Sequence, residues 1–356
     1  MAIFGRNKKA DELETASIEE RETAGLSQGQ IVFRRFIRHR AAMISVFYLS
    51  FIVLFVFSAH DGSIGPFDYS GWWQFKFDDV PNLRVKGCDL AQVGCPTLDA
   101  IPFLDGDGVK LGNHPFGQDD IGRDYFALVM SGAQRSIIIM LLIGSIGALL
   151  GTIIGSISGF FRGWIDAILM RFLDFIITIP VIIVGAVIGY RVGNLGIVFL
   201  GLFLGLFAWP GLARLVRGEF LTLREREFVD AARVAGASNR RIVFKHILPN
   251  AVGVIIVSVT LLLSGAILLE TGLSYLGFGV VAPDVSLGLL ISQYQDYFSL
   301  RPWLFWWPGF FIISIALSIN FIGDGLRDAF DPRQKRRITR KDRERAVSKL
   351  SETPTL

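Results

Sequence analysis

Two cysteines and four histidines in 356 residues leave little from which to build a metal centre or thiol chemistry. The cysteines stand together in "GCDLAQVGC" as Cys88 and Cys95, a spacing that is not a zinc-site pattern. His114, Asp119 and Asp120 share one loop, but a loop histidine among turn formers is more often solvated or capping, so no metal is expected. No G-x-x-x-x-G-K-[ST] phosphate loop occurs, which excludes ATP binding through that motif. "GFGVVA" (277–282) imitates a dinucleotide fingerprint but lacks the strand–turn–helix context that gives it meaning. No nucleophile and base stand at a recognisable spacing. Catalytic residues and bound cofactors are therefore not expected in this chain.

What the chain has in quantity is apolar sequence, with 51% hydrophobic residues. A helix needs roughly 20 apolar residues to cross the hydrocarbon, and its backbone must pair internally there. Six such runs lie at about 41–59, 136–160, 173–190, 194–213, 250–272 and 303–323. The fold class is an all-α polytopic membrane protein with six transmembrane helices. With the N-terminus inside, the segments 1–40, 161–172, 214–249 and 326–356 hold 28 of the 36 Lys and Arg. The positive-inside rule then puts both termini in the cytoplasm. The net charge of +4 averages two unlike faces and points to anionic lipid headgroups, with no nucleic acid as partner.

The expected organisation has five parts. Residues 1–30 read as a disordered cytoplasmic N-terminus, with no cleaved signal peptide in view. Residues 31–60 hold a basic amphipathic segment and the first span, residues 61–135 an extracytoplasmic segment, and residues 136–325 a five-helix core with a cytoplasmic loop at 214–249. Residues 326–356 form a basic tail. The segment "SQGQIVFRRFIRHRAAM" either lies along the inner membrane surface or simply orients the first span. The extracytoplasmic segment, with eleven Asp against six Lys and Arg in 60–135, is rich in turn formers. On that side Cys88 and Cys95 either close a small disulfide loop or remain free thiols. Small residues in "IGSIGALLGTIIGSISG" allow close helix approach. Glu270, in "AILLETGLSYLG", either faces a water-filled path or gate or, as is commoner, reaches interfacial water from a helix end. Asp174, Asn320 and Asp324 carry the same ambiguity.

The stretch 227–250, "EFVDAARVAGASNRRIVFKHILPN", stands between two apolar runs. It reads as two short helices: one closed by Gly236 in a left-handed conformation, the other N-capped by Ser238, with Pro249 opening the fifth span. Ala231 and Ala232 leave a low-relief patch beside Asp230. On physics alone this is either a tidy connector or a rigid docking knob.

The same run resembles the EAA loop of ABC-importer permeases. Asp230, Ala231, Ala232, Gly236, Leu248 and Pro249 fall at the motif positions, with Ala237 following the glycine. Asp230 replaces the usual Glu, and His246 stands where the general pattern has Ile. "HPFGQDDIGRDYFALVMSGAQRSI", "GFFRGWIDAILMRFLDFIITIP", "WPGLARLVRGEFL" and "PWLFWWPGFFIISIALSINFIGDGLRDAFDPR" extend the likeness over roughly residues 30–335. As a set they resemble the C-type permease subunit of dipeptide and oligopeptide ABC importers. The segment 60–112 and its cysteine pair lie outside that pattern.

The resemblance implies a type I ABC importer permease fold in a prokaryotic cell membrane. It implies a heterodimer with a homologous B-type permease, two ATP-binding cassette ATPase subunits that hold the ATP and Mg, and an extracytoplasmic substrate-binding protein. In that frame Asp230, Ala231, Ala232, Gly236, Ala237, Leu248 and Pro249 couple to the ATPases, and Glu270 is a candidate pathway or gate residue. A permease for nickel or another small solute would share the loop. A channel or membrane enzyme working without an ATPase would need an intramembrane cluster of reactive residues, which the sequence does not offer.

Overall fold

The structure is a computed structural model, and it describes residues 28–59, 62–64, 67–80, 95–96, 112–192 and 195–331. Helix α1 (Gln28–Arg38) leads through His39 into α2 (Arg40–Ala59). Two three-residue strands, Gly62–Ile64 and Phe67–Tyr69, pair antiparallel beyond it and are a small departure from an all-α chain. Then follow α3 (Tyr125–Phe161), α4 (Gly163–Thr178), α5 (Val181–Val192), α6 (Ile197–Ala208), α7 (Pro210–Arg224) and α8 (Glu227–Val234). A short turn α9 (Asn239–Arg241) runs through a π-helical turn, Ile242–Ile247, into α10 (Leu248–Tyr275). Helices α11 (Leu287–Tyr294) and α12 (Trp303–Phe330) complete the described chain.

Among the described residues four helices are long and apolar enough to cross a membrane, and six spans result when each of two bent pairs counts as one. The bends have identifiable causes. Ile179, before Pro180, takes φ −85° and ψ 120°, the extended geometry that proline imposes on its predecessor, and α4 meets α5 at 77°. Pro210 opens α7 at 42° to α6, because its ring would clash with the carbonyl one turn back. The apolar run 173–190 is thus not one straight span: hydropathy registers transfer energy and is blind to a backbone break.

Helix α3 begins eleven residues before the apolar run at 136. At 37 residues and roughly 1.5 Å per residue it exceeds a hydrocarbon core of about 30 Å. Its first turns are held instead by protein, where Tyr125, Phe126, Val129 and Met130 are buried. Helix α1 starts at Gln28, inside the stretch 1–30 expected to be disordered, because it packs on α12 and half-buries Ile31, Val32 and Phe36. Residues 1–27 and 332–356, including nearly all of the basic tail, lie outside the described residues.

The core is a bundle centred on α3, which packs against α6, α7 and α10, with α12 closing over α2 and α10. Gly147, Gly151, Gly155 and Gly159 lie one turn apart along α3; the last three meet α7, and Gly147 meets Ala208 at the end of α6 and Leu262 of α10. A Cβ on Gly155 would stand 2.5 Å from the Ala213 carbonyl oxygen and 2.8 Å from the Val216 Cβ. Gly155→Val is therefore expected to force α3 and α7 apart and cost about 1–3 kcal/mol. Gly218→Ala, on α7 with nothing within 4 Å of the added carbon, is the neutral control. Thermal unfolding of the two purified variants measures the difference.

Candidate functional site

The segment between α7 and α10 is built by local rules. Arg226 takes extended φ −86° and ψ 145° before α8 starts. At its other end Ala237 N–H donates to Ala232 O at 3.0 Å and Gly236 N–H to Arg233 O at 2.9 Å. With Gly236 at φ +77° these bonds form a Schellman motif, which pairs carbonyls that a helix end leaves unsatisfied. Ser238 then caps the next helix, its hydroxyl accepting from Arg241 N–H at 3.4 Å and its carbonyl from Ile242 N–H at 2.9 Å.

The second helix is not a separate short element ending at Pro249, as the sequence suggests. Asn239 to Tyr275 is one continuous helical run. The π turn makes this possible: Leu248 N–H donates to Val243 O, five residues back. The widened turn lets Pro249, which has no N–H, pass into α10 without breaking the helix.

The knob has a buried root and an exposed tip. Val229, Ile242 and Ile247 are buried with Phe160 of α3 and Val216 and Phe220 of α7. Asp230, Ala231 and Gly236 are exposed, while Ala232, Ala237 and Leu248 are half-buried at the root and Pro249 is exposed. Asp230 accepts from Arg233 at 2.9 Å. The structure therefore brings the motif residues to one projecting element, with Leu248 and Pro249 at its base. Sequence reasoning missed Val234, which is 90% exposed at the tip, and the exposed Phe228 and Phe244 of the same segment.

A polar clamp fixes the root. Arg217 of α7 meets Asp166 of α4 with two bonds of 2.6 Å, and Ser158 of α3 donates to the same carboxylate. Arg224 donates to the Phe160 carbonyl, and Arg162 pairs with Glu225 at 2.8 Å. The last pair is exposed and contributes little, whereas the fork-on-fork Arg217–Asp166 pair is half-shielded and geometrically specific. Asp174, ambiguous from sequence, pairs on the surface with Arg214 at 2.9 Å. Asn320 is half-buried and Asp324 exposed.

At the opposite end of the bundle Glu270 does not reach interfacial water. It is fully buried, because α11 and the loop before it fold back over the end of α10. Ser274 Oγ donates to Glu270 Oε1 at 2.8 Å and accepts from Val280 N–H at 3.1 Å. Ser136 of α3 and Ser286 of the loop stand around the same carboxyl group, each accepting a backbone N–H, from Leu287 at 3.2 Å and Leu289 at 3.3 Å. Glu270 thus joins α3, α10 and α11. Glu270→Leu leaves the buried Ser274 hydroxyl without its acceptor and is expected to cost about 1–3 kcal/mol, read as a lowered Tm, with Glu270→Gln restoring part of it.

The loop before α3 also differs from its reading. His114 is buried rather than solvated, its Nδ1 2.8 Å from Asp124 Oδ1. Asp124 caps α3 through Ala127 N–H at 2.8 Å and accepts from Trp73 Nε1 at 2.7 Å. Asp119 accepts from Arg123 Nε at 2.6 Å and from the Tyr294 hydroxyl at 3.2 Å. Burial, with Asp119 beside it, pushes the Tyr294 hydroxyl above its ordinary range and keeps it a donor. Asp120 is exposed. Among the described residues no three His, Cys, Asp or Glu side chains are grouped to hold a metal. Cys95 is disulfide-bonded, and Cys88 lies outside the described residues.

Residues 151–336, which hold the knob, its clamp and the last two spans, match the model of the binding-protein-dependent transport system inner membrane component family. The chain belongs to that family. A second model, the N-terminal TM domain of oligopeptide transport permease C, matches residues 27–83 of this permease. The permease is 35% identical over 334 residues to the oligopeptide transport system permease protein OppC of Haemophilus influenzae, covering 92% of this chain and 96% of that one. It is 37% identical over 307 residues to the protein of the same name from Mycobacterium tuberculosis, covering 86% and 95%. Among solved structures, a chain of the MetNI methionine ABC transporter in an inward-facing conformation is similar at a TM-score of 0.49 and 20% identity, over 57% of this chain and 96% of that one.

The permease is a multi-pass membrane subunit of a transporter and not an enzyme; ATP hydrolysis belongs to separate ATPase subunits, and it works beside a transmembrane partner. A channel or membrane enzyme without an ATPase is set aside by that membership.

Proposed function

We propose that this permease forms half of the translocation pathway of an ATP-driven importer of di- or oligopeptides. In this reading the other half is a homologous B-type permease, cargo arrives on an extracytoplasmic binding protein, and two ATPase subunits grip the knob at 227–249. Both termini and the knob face the cytoplasm of a prokaryotic cell, as the placement of Lys and Arg supports.

The observation that carries the coupling role is the pairing of an exposed tip with a rooted base. Asp230, Ala231, Val234 and Gly236 project, while Val229 and Ile242 are packed into the layer of α3 and α7. A displacement of the tip is passed to the spans because packed cores move as discrete units. Peptide cargo is supported by the oligopeptide permeases to which the chain is similar over nearly its whole length, which disfavours nickel.

The complete complex, reconstituted in vesicles with its binding protein, tests this. ATPase activity should rise with a di- or oligopeptide panel and stay at its basal rate with nickel chelates. Stimulation by a metal chelate and not by peptides would reassign the cargo.

A further inference from the structure

Helix α1 packs on the bundle by one face, and Phe33, Arg34, Ile37 and Arg38 of its other face are exposed. Its packed face meets the end of α12. Arg35 Nη1 donates to the Asp331 carbonyl at 3.1 Å, and Phe36 stands over Gly325, where an added Cβ would lie 3.4 Å from its ring. His39, the single residue between α1 and α2, lies 3.4 Å from Asp328 and caps α2 by accepting from Ala42 N–H at 3.1 Å. Helix α1 is therefore clamped at the level where the first span begins.

The other face is divided lengthwise. Phe33 and Ile37, one turn apart, are 64% and 46% exposed. Arg34 and Arg38 follow them around the helix by one residue, and Arg40 stands exposed at the first position of α2. At 100° per residue this gives an apolar strip beside a basic strip, both parallel to the helix axis. A soluble protein partner would not explain why the strips begin one residue from a membrane span. Neither strip adjoins the knob, since α1 packs on α12 and α2 whereas α8 packs on the π turn.

We propose that this face of α1 is a binding surface for anionic phospholipid. Phe33 and Ile37 enter the acyl boundary, and the guanidinium groups of Arg34 and Arg40 pair with headgroup phosphates. Arginine suits the task, because its planar fork matches phosphate oxygens and its weak hydration eases the transfer. The bound lipid holds the start of α2 and the end of α12 together at one membrane surface. This lipid contact is separate from peptide import and does not depend on which cargo is carried.

The test uses the assembled complex in vesicles of equal phosphatidylglycerol and phosphatidylcholine, extracted gently and analysed by native mass spectrometry for retained lipid. Phosphatidylglycerol should be retained in excess. The double variant Arg34→Gln with Arg40→Gln should lower that excess by about 25-fold, since each surface arginine changes anionic-lipid binding by about fivefold. Phe33→Ser should weaken retention of both lipids without changing their ratio. Equal retention of the two lipids by the unmodified complex would overturn the proposal, as would an unchanged excess in the double variant. Loss of an ATPase subunit from the double variant, with its lipid excess intact, would assign the face to a protein partner instead.

Discussion

Gly236→Val is expected to lower coupled uptake sharply while leaving the permease inserted and assembled. At φ +77° a β-branched residue is forced into a conformation that costs about 1–3 kcal/mol. Nothing stands within 4 Å of an added Cβ, so the penalty is conformational and not a clash. The chain can relieve it by unwinding the last turn of α8, which breaks the bonds from Ala237 to Ala232 and from Gly236 to Arg233. The tip carrying Asp230, Ala231 and Val234 then turns away from its fixed root. A drop of tenfold or more in uptake is expected, which corresponds to about 1.4 kcal/mol of lost coupling. Asn tolerates the left-handed region, so Gly236→Asn should keep most of the activity. Uptake and ATP hydrolysis measured together on the same vesicles separate uncoupling from loss of protein. Equal impairment by Asn and Val would show that backbone conformation is not the cause.

The second large effect is at the clamp. Asp166→Ala leaves the Arg217 guanidinium without either of its 2.6 Å partners, and Ser158 loses its acceptor. Truncating one member of such a pair strands the other in a half-shielded site and is expected to cost about 2–3 kcal/mol. Because α4, α3 and α7 meet at this carboxylate, the loss should appear in two readouts: a lowered Tm and a reduced transport yield per ATP. Arg217→Lys keeps the charge but not the fork, and should recover only part of both. Exchanging the two residues, Asp166→Arg with Arg217→Asp, should restore more than either single change. If the exchange is worse than the singles, the pair acts through its shape in the packing and not through its bonds.

These effects sit on features of unequal legibility. The knob could be read from sequence because short-range rules write it: a left-handed glycine at 236, a capping serine at 238 and a proline at 249. Each acts on residues within a turn or two. Even there the π turn at Ile242–Ile247 was not legible, and it is what fuses the second helix to its span. The clamp was invisible because Asp166 and Arg217 are 51 positions apart and neither stands out among the charges of a Lys/Arg-rich face.

Glu270 and His114 fail for a shared reason. His114 sits beside turn formers and Glu270 near a helix end, places that normally mean water, and both are covered by chain that returns from elsewhere. Glu270 is covered by α11, and His114 stacks on Phe75 and bonds to Asp124. The breaks at Ile179 and Trp209 are written in the sequence as prolines, but an apolar count passes straight over them. Six spans stand when each bent pair counts as one crossing, and four of them are single unbroken helices.

The most direct test of the account is a crosslink from the tip of the knob. Val234→Cys places a thiol at a 90% exposed position, on a chain whose described cysteine is already disulfide-bonded. In the assembled complex a short bifunctional reagent should join it to an ATPase subunit, with a yield that changes when ATP is added, and the joined complex should stop transporting. If position 234 never reaches an ATPase subunit while the same preparation imports its cargo, the knob is only a connector and the coupling reading is wrong.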